Sequence, residues 1–295
     1  LYYGHNHQFM NKKAVSLVLT FLMVMLSFSI VSNSLNQETE FSNLGNLTEP
    51  QQVIFPVSQL NEPGSQEGSV FTDTTLSSGS QHTCAVLESD AVSCWGRGDY
   101  GQLGNGATSN MFSPGFTLDF GTARNAVSVS AGAHHNCALL DNGAVSCWGA
   151  NTYGQLGNGG TSDTSTPTLT NSLGTGRTAI ALSSGSDHTC AILDNGSVSC
   201  WGRGLWGQLG NGATSDTSTP TLTSSLGENR TALSIAAGAQ HTCAILDNGA
   251  VSCWGNHYYG QMGNGASSNQ LSPMLTDSLG TGRTAVALSA GIHFN

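Results

Sequence analysis

Eight cysteines and four histidines stand in a fixed relation along this chain. His82, His135, His188 and His241 each precede a cysteine by two residues (Cys84, Cys137, Cys190, Cys243), and a second cysteine follows ten positions later (Cys94, Cys147, Cys200, Cys253). Three chemistries use such residues. A His-Cys-Cys zinc site finds only three ligands in each unit, one short of a closed structural site. A dithiol redox centre keeps two residues between its cysteines, whereas nine separate them here. A structural disulfide needs the two cysteines opposite each other on adjacent strands. The intervening Asp-Asn-Gly, at 141–143, 194–196 and 247–249, suits a three-residue hairpin loop closed by a left-handed glycine. Counting back from Leu140 opposite Ala144 sets Cys137 against Cys147, as a pair whose Cα separation of about 4.5–5.5 Å a disulfide can bridge. A two-residue Asn-Gly turn would offset the pair. In the first unit "LESDA" replaces "LDNGA" and puts Asp90 at the left-handed position, where it is tolerated but poorer than glycine. The expectation is four disulfides, no metal, no cofactor, and histidines that pack against a neighbouring loop.

The elements that position these residues repeat without error. Both cysteine series advance by 53 residues, and so do Trp95, Trp148, Trp201 and Trp254, the Gly-Gln-Leu-Gly runs at 101, 154 and 207 with Gly-Gln-Met-Gly at 260, and Pro114, Pro167, Pro220 and Pro273. A strict period marks a repeat architecture in which each unit buries its apolar face against its neighbours. Apolar residues alternate with small polar ones in "AVSVSAG", "AIALSSG" and "NGAVSCWG", the period of strands. With 38 glycines, 8 basic and 18 acidic residues and a net charge of −10, the chain is neither a polybasic nucleic-acid binder nor a charge-rich disordered one. The fold class expected is all-β.

Residues 1–9 read as upstream read-through before Met10. Lys12 and Lys13 followed by the apolar run Ala14 to Val31 make residues 10–34 a secretory signal peptide or an uncleaved anchor, the one expected contact with a membrane. Residues 35–75, polar and acidic with three prolines, read as a flexible linker. Export places the repeats in an oxidising compartment, where eight evenly paired cysteines favour disulfides.

The order Gly, two residues, His-Thr, a short apolar strand, Asp-Asn-Gly, Val, Trp-Gly, four residues, Gly-Gln-Leu-Gly-Asn-Gly resembles the repeat of the regulator of chromosome condensation family. Four full copies occupy 76–128, 129–181, 182–234 and 235–287, with the start of a fifth at 288–295. The resemblance implies a β-propeller of four-stranded blades, normally seven around a channel, so four blades and a partial fifth are expected to form an open fragment of such a ring. The paired cysteines resemble those of the exported prokaryotic members more than the nuclear exchange factor. Nucleotide-exchange activity in that family depends on wedge and loop residues outside the repeat consensus, and these units hold no insertion.

Between Trp-Gly and Gly-Gln the units differ: "RGDY" at 97–100, "ANTY" at 150–153, "RGLW" at 203–206 and "NHYY" at 256–259. The fourth position is always aromatic and is expected to wedge between blades. Among the rest, Arg97, Asp99, Arg203, Leu205, Trp206, His257 and Tyr258 are the candidate binding residues, with further variation just before each histidine at Gln81, His134, Asp187 and Gln240. Loops of successive blades on one rim make an extended recognition surface. No Gly-x-Ser-x-Gly or Walker-type run is present. The reading is an exported, non-enzymatic module that binds a protein or cell-surface ligand. The alternative is an inhibitor of a secreted hydrolase; an exchange factor or a propeller enzyme fits less well.

Overall fold

The chain divides into two units, Leu1–Glu67 and Gly68–Asn295. The computed structural model describes residues 76–122 and 124–291, all in the second unit. The signal or anchor at 10–34 and the linker at 35–75 lie outside the described residues.

Among the described residues, sixteen strands form four separate antiparallel sheets of four. Blade 1 holds β1 (Leu76–Ser78), β2 (His82–Val86), β3 (Val92–Gly96) and β4 (Met111–Phe116); blade 2 holds β5 (Ala126–Ala131), β6 (His135–Leu140), β7 (Val145–Gly149) and β8 (Thr164–Leu169). Blade 3 holds β9 (Ala179–Ser184), β10 (His188–Leu193), β11 (Val198–Gly202) and β12 (Thr217–Leu222); blade 4 holds β13 (Ala232–Ala237), β14 (His241–Leu246), β15 (Val251–Gly255) and β16 (Gln270–Leu275). Strands pair in sequence order within each sheet, as tight hairpins require, and the blades stand side by side in an open arc.

The first strand of each blade is innermost. β1, β5, β9 and β13 neighbour one another and line the concave channel. The small polar residues that alternate along these strands tie blade to blade: Ser77 Oγ accepts from Ala131 N–H at 2.9 Å, Ser130 Oγ from Ser184 N–H at 2.8 Å, and Ser183 Oγ from Ala237 N–H at 2.9 Å. At the outer margin, β4, β8, β12 and β16 each carry the repeated proline. A proline cannot donate to a ladder, which confines it to an edge strand and blunts that edge against further pairing.

The hairpins between second and third strands form as the loop chemistry requires. Leu140 N–H bonds Ala144 O at 2.9 Å, Gly143 N–H bonds Leu140 O at 2.8 Å, and Gly143 has φ 72°. Asp90 takes the same left-handed conformation at φ 61°. Cys84 pairs Cys94, Cys137 pairs Cys147, Cys190 pairs Cys200 and Cys243 pairs Cys253 in the strand register. All four pairs are disulfides with Cα atoms 4.1 Å apart.

Apolar side chains pack between blades rather than inside one. Cys137, Leu139, Val145 and Cys147 of blade 2 meet Ala191, Leu193 and Trp201 of blade 3 in one cluster, and blades 1 and 2 and blades 3 and 4 repeat the arrangement. The first three disulfides therefore lie inside blade-to-blade cores, while Cys243–Cys253 packs with Ile245, Val251 and Met262 of its own blade and against Ala285 and Leu288 beyond it; nearest-neighbour burial supplies the cohesion of the arc.

Candidate binding rim

The invariant polar residues converge at each blade junction. Between blades 2 and 3, His135 Nε2 lies 2.9 Å from Thr189 Oγ1, which donates to Gln155 O at 3.1 Å, and Trp201 Nε1 donates to the same carbonyl at 2.9 Å. Between blades 3 and 4, His188, Thr242, Gln208 and Trp254 repeat these bonds at 2.9, 3.0 and 2.9 Å. Between blades 1 and 2, Asn136 replaces the threonine: His82 Nε2 meets Asn136 Oδ1 at 3.0 Å, while Asn136 Nδ2 and Trp148 Nε1 reach Gln102 O at 2.7 and 3.0 Å.

The proton count fixes the histidine tautomer. The threonine hydroxyl has one proton, given to the glutamine carbonyl, so it accepts from histidine, whose Nε2 must carry hydrogen. Nδ1 of His135 and of His188 is then a buried lone pair without a hydrogen bond. Burial pushes both imidazoles down to about 3, and neighbouring histidine charges push the same way. These rings are neutral junction pieces. With the cysteines oxidised and Nε2 engaged, the His-Cys-Cys residues do not present a zinc ligand set.

Trp148, Trp201 and Trp254 are fully buried, whereas Trp95 is half-buried, because no described blade precedes it to supply the glutamine carbonyl. The glutamine side chain also shapes the loop after Trp-Gly. Oε1 of Gln102, Gln155, Gln208 and Gln261 accepts the N–H of the aromatic residue two positions earlier at 2.8–2.9 Å, which fixes that loop.

Because strands alternate in direction, the turns before the histidines and the loops after Trp-Gly emerge at one end of every blade, and the Asp-Asn-Gly hairpins at the other. The loops after Trp-Gly form the rim, and their positions sort by what they touch. In three blades the first pairs with the residue before the histidine: Arg97 donates to Gln81 Oε1 at 2.6 Å, Arg203 forms an ion pair with Asp187 at 3.3 Å, and Asn256 Nδ2 donates to Gln240 Oε1 at 2.7 Å, while blade 2 has Ala150 there. Arg97 also holds Asp99 at 2.9 Å.

The second position closes the loop on itself. It is glycine at 98 and 204, where a Cβ would lie 2.2 Å from Ser109 O and Ser215 O respectively. At 151 a buried asparagine bonds Gly160 O and Ser162 O at 3.1 Å, and at 257 His257 Nδ1 lies 3.1 Å from Asn269 Oδ1. The fourth, aromatic position reaches the next blade: Tyr100 stacks on His134 at 5.0 Å, and Arg203 lies 4.7 Å over the ring of Tyr153. Trp206 is half-buried, while Tyr259 is 57% exposed. His134 is held below the ordinary imidazole value, first by burial and then by the Arg97 cation, against opposing pulls from Asp187 and Asp99.

Only the third position is exposed in every blade: Asp99, Thr152, Leu205 and Tyr258. Leu205 is 50% and Tyr258 75% exposed, and Tyr258 stands edge-on to Tyr259 at 4.8 Å. The structure thus divides the seven residues singled out by chemistry. Asp99, Leu205 and Tyr258 face solvent, while Arg97, Arg203, Trp206 and His257 are half-buried, the two arginines and His257 being bonded within their own blades. Thr152 escaped sequence reasoning because its chemistry is ordinary; its place in the period was the signal.

This architecture and its repeat have known counterparts. The profile of the regulator of chromosome condensation (RCC1) repeat matches residues 90–139, 142–192 and 195–245, and a second profile of that repeat matches 74–102, 126–155, 179–208 and 233–261. The Arabidopsis thaliana ultraviolet-B receptor UVR8 is 36% identical over 206 residues, covering 70% of this chain and 46% of the receptor. The human E3 ubiquitin-protein ligase HERC2 is 30% identical over 206 residues, 69% of this chain and 4% of the ligase. The chain therefore spans less than half of UVR8 and a small part of HERC2. Among solved structures, human WBSCR16 superposes with TM-score 0.66 at 21% identity, covering 76% of this chain and 57% of that one. Yeast RCC1 (Prp20), solved with Kap60, superposes with TM-score 0.63 at 19% identity, covering 74% and 52%. At such identities these two speak to fold alone. The repeat profiles, the blade geometry and the junction residues together make this chain a member of the regulator of chromosome condensation repeat family.

Proposed function

We propose that this protein is exported and acts, without a catalytic centre of its own, as a binding module whose rim recognises a protein or cell-surface partner. Residues 10–34 carry it out of the cytosol as a leader or anchor, 35–75 form a spacer, and the repeats from residue 76 onward present the rim. Four intrachain disulfides suit an oxidising compartment. Relatives of the fold bind proteins: Prp20 is solved with Kap60, and its binding to Gsp1p and histones has been described.

One observation carries the reading. The third position after Trp-Gly is exposed in all four blades yet is aspartate, threonine, leucine and tyrosine in turn. Leu205 and Tyr258, with Tyr259 beside it, are the anchors; Arg97, Asp99, Arg203, Trp206 and His257 shape and flank them. Aromatic and aliphatic groups on a rigid support release water on docking at little entropic cost, and removing one central anchor costs on the order of 2 kcal/mol in binding.

The test uses the exported full chain as bait, alongside Leu205→Ala with Tyr258→Ala and a control with Thr214→Ala in the loop before β12 and Thr219→Ala on β12, the outer strand of blade 3. A partner retained by the native chain and the control but lost from the rim variant supports the reading. Loss from the control with an unaffected rim variant moves the site to the outer edge of blade 3.

A further inference from the structure

Blade 3 departs from its neighbours at two points on the end opposite the rim. Its hairpin closes on Ser197 where blades 2 and 4 have Ala144 and Ala250, and its connector to the next blade holds Asn229 where theirs hold Gly176 and Gly282. Each single change completes an Asn-x-Ser/Thr triplet: Asn195-Gly196-Ser197 and Asn229-Arg230-Thr231. We infer that Asn195 and Asn229 are acceptor sites for N-linked glycan, so that two sugar chains mark the hairpin end of blade 3. The inference rests on the export proposed above, because the sugar donor is met only on the way out of the cytosol.

The geometry suits the modification. Both asparagines are exposed. Asn195 Oδ1 accepts from Ser197 N–H at 3.1 Å and from Ser197 Oγ at 2.7 Å, which leaves Nδ2, the atom that would carry sugar, without a bond to any described residue. In blades 2 and 4 the equivalent Asn142 and Asn248 take only the backbone N–H, at 3.1 Å; the hydroxyl contact belongs to blade 3.

Asn229 sits at φ 56°, the left-handed conformation that Gly176 and Gly282 adopt at φ 68° and 69°. Asparagine tolerates that conformation best after glycine, so Asn229 alone would call for no functional reason. Its coincidence with Thr231, and with a second triplet in contact, does. A Cβ on Gly196 would fall 2.5 Å from Thr231 Cβ, so the two triplets form one patch. That patch lies at the far end of the strands from Leu205 and Tyr258, where sugar leaves the rim open.

The step balances without oxidant or reductant. The donor is an oligosaccharide carried on a polyprenyl phosphate. Asn Nδ2 forms a bond to the anomeric carbon, the bond from that carbon to the phosphate oxygen breaks, the phosphate leaves with the electron pair, and the amide loses one proton.

The full chain is expressed in an exporting host that N-glycosylates, as it stands and behind an added secretory leader. Asparagines are mapped by enzymatic deglycosylation in heavy-oxygen water, which turns each modified residue into labelled aspartate. The triplet Asn46-Leu47-Thr48, outside the described residues, reports whether a chain met the transferase. The expected result is label at Asn195 and Asn229, with Ser197→Ala and Asn229→Gly each removing one glycan and Ser197→Thr keeping it. Both loss variants install residues used by the neighbouring blades and preserve the fold. Unlabelled Asn195 and Asn229 in the form with the added leader overturn the inference. Label in that form, with the native form unlabelled inside the cell, upholds the acceptor sites and overturns export by the native leader instead.

Discussion

The blade junctions and the rim loops use the same repeat in opposite ways. At a junction, His135, Thr189, Gln155 and Trp201 are bonded to one another across two blades, and the next junction repeats the arrangement with His188, Thr242, Gln208 and Trp254. On the rim, the third position after Trp-Gly is exposed and changes at every blade. A residue with two blades to satisfy varies only where its replacement keeps the same bonds, as Asn136 does in place of the threonine, because removing one member leaves a buried polar partner unpaired. Residues facing water carry no such constraint, so the chain can vary its surface without disturbing its assembly.

The largest losses are expected at the junction. Trp201→Ala removes the largest side chain between blades 2 and 3 and the indole donor to Gln155 O; a loss of about 3–5 kcal/mol is expected in denaturant unfolding. Gly157→Ala attacks the same place from the other side, since a Cβ there would lie 2.7 Å from Trp201 Nε1 on a backbone at φ 67°. Replacing Cys190 and Cys200 by alanine comes next, at about 2–3 kcal/mol for a short loop, read by the same unfolding midpoint.

The histidines give a pH signature. In the folded chain His135 and His188 are held at about 3, below the ordinary 6.5, so between these values the unfolded chain binds protons that the folded chain does not. Their contribution is fully present above pH 6.5 and is lost as pH falls toward 3. His135→Gln should lower stability at pH 7 and flatten its decline on acidification; an unchanged slope would mean that His135 is not the titrating group. The smallest effect belongs to the rim, where Leu205→Ala with Tyr258→Ala should shift folding stability by no more than about 0.5 kcal/mol per site.

Much of this division is legible in the sequence, and the part that is not has a physical cause. Asp-Asn-Gly specifies the hairpin, and the hairpin specifies the register that joins Cys137 to Cys147. The tryptophans announce burial by type and period. The acceptor on which each junction turns is hidden, because the carbonyl of Gln155 belongs to the backbone and every residue has one. The sorting of the rim is hidden too: Arg97 and Arg203 vary like contact residues, but their partners Gln81 and Asp187 lie 16 positions earlier and vary with them. Variation by itself does not separate an exposed position from a pair that changes together.

A chain with the exposed third rim position made alike in all four blades separates recognition from stability in one experiment. Threonine, the residue at 152, would replace Asp99, Leu205 and Tyr258, with Gly98 and Gly204 left in place because a Cβ there would meet backbone. Calorimetric unfolding beside the native chain, with binding of the captured partner measured on both, gives the answer. The expected result is a melting temperature lowered by no more than about 4 °C, as a cost near 1 kcal/mol implies for a domain of this size, together with loss of the partner. A cooperative collapse of the fold, or a partner held as tightly as before, would contradict the assignment of recognition to the rim and of stability to the junctions.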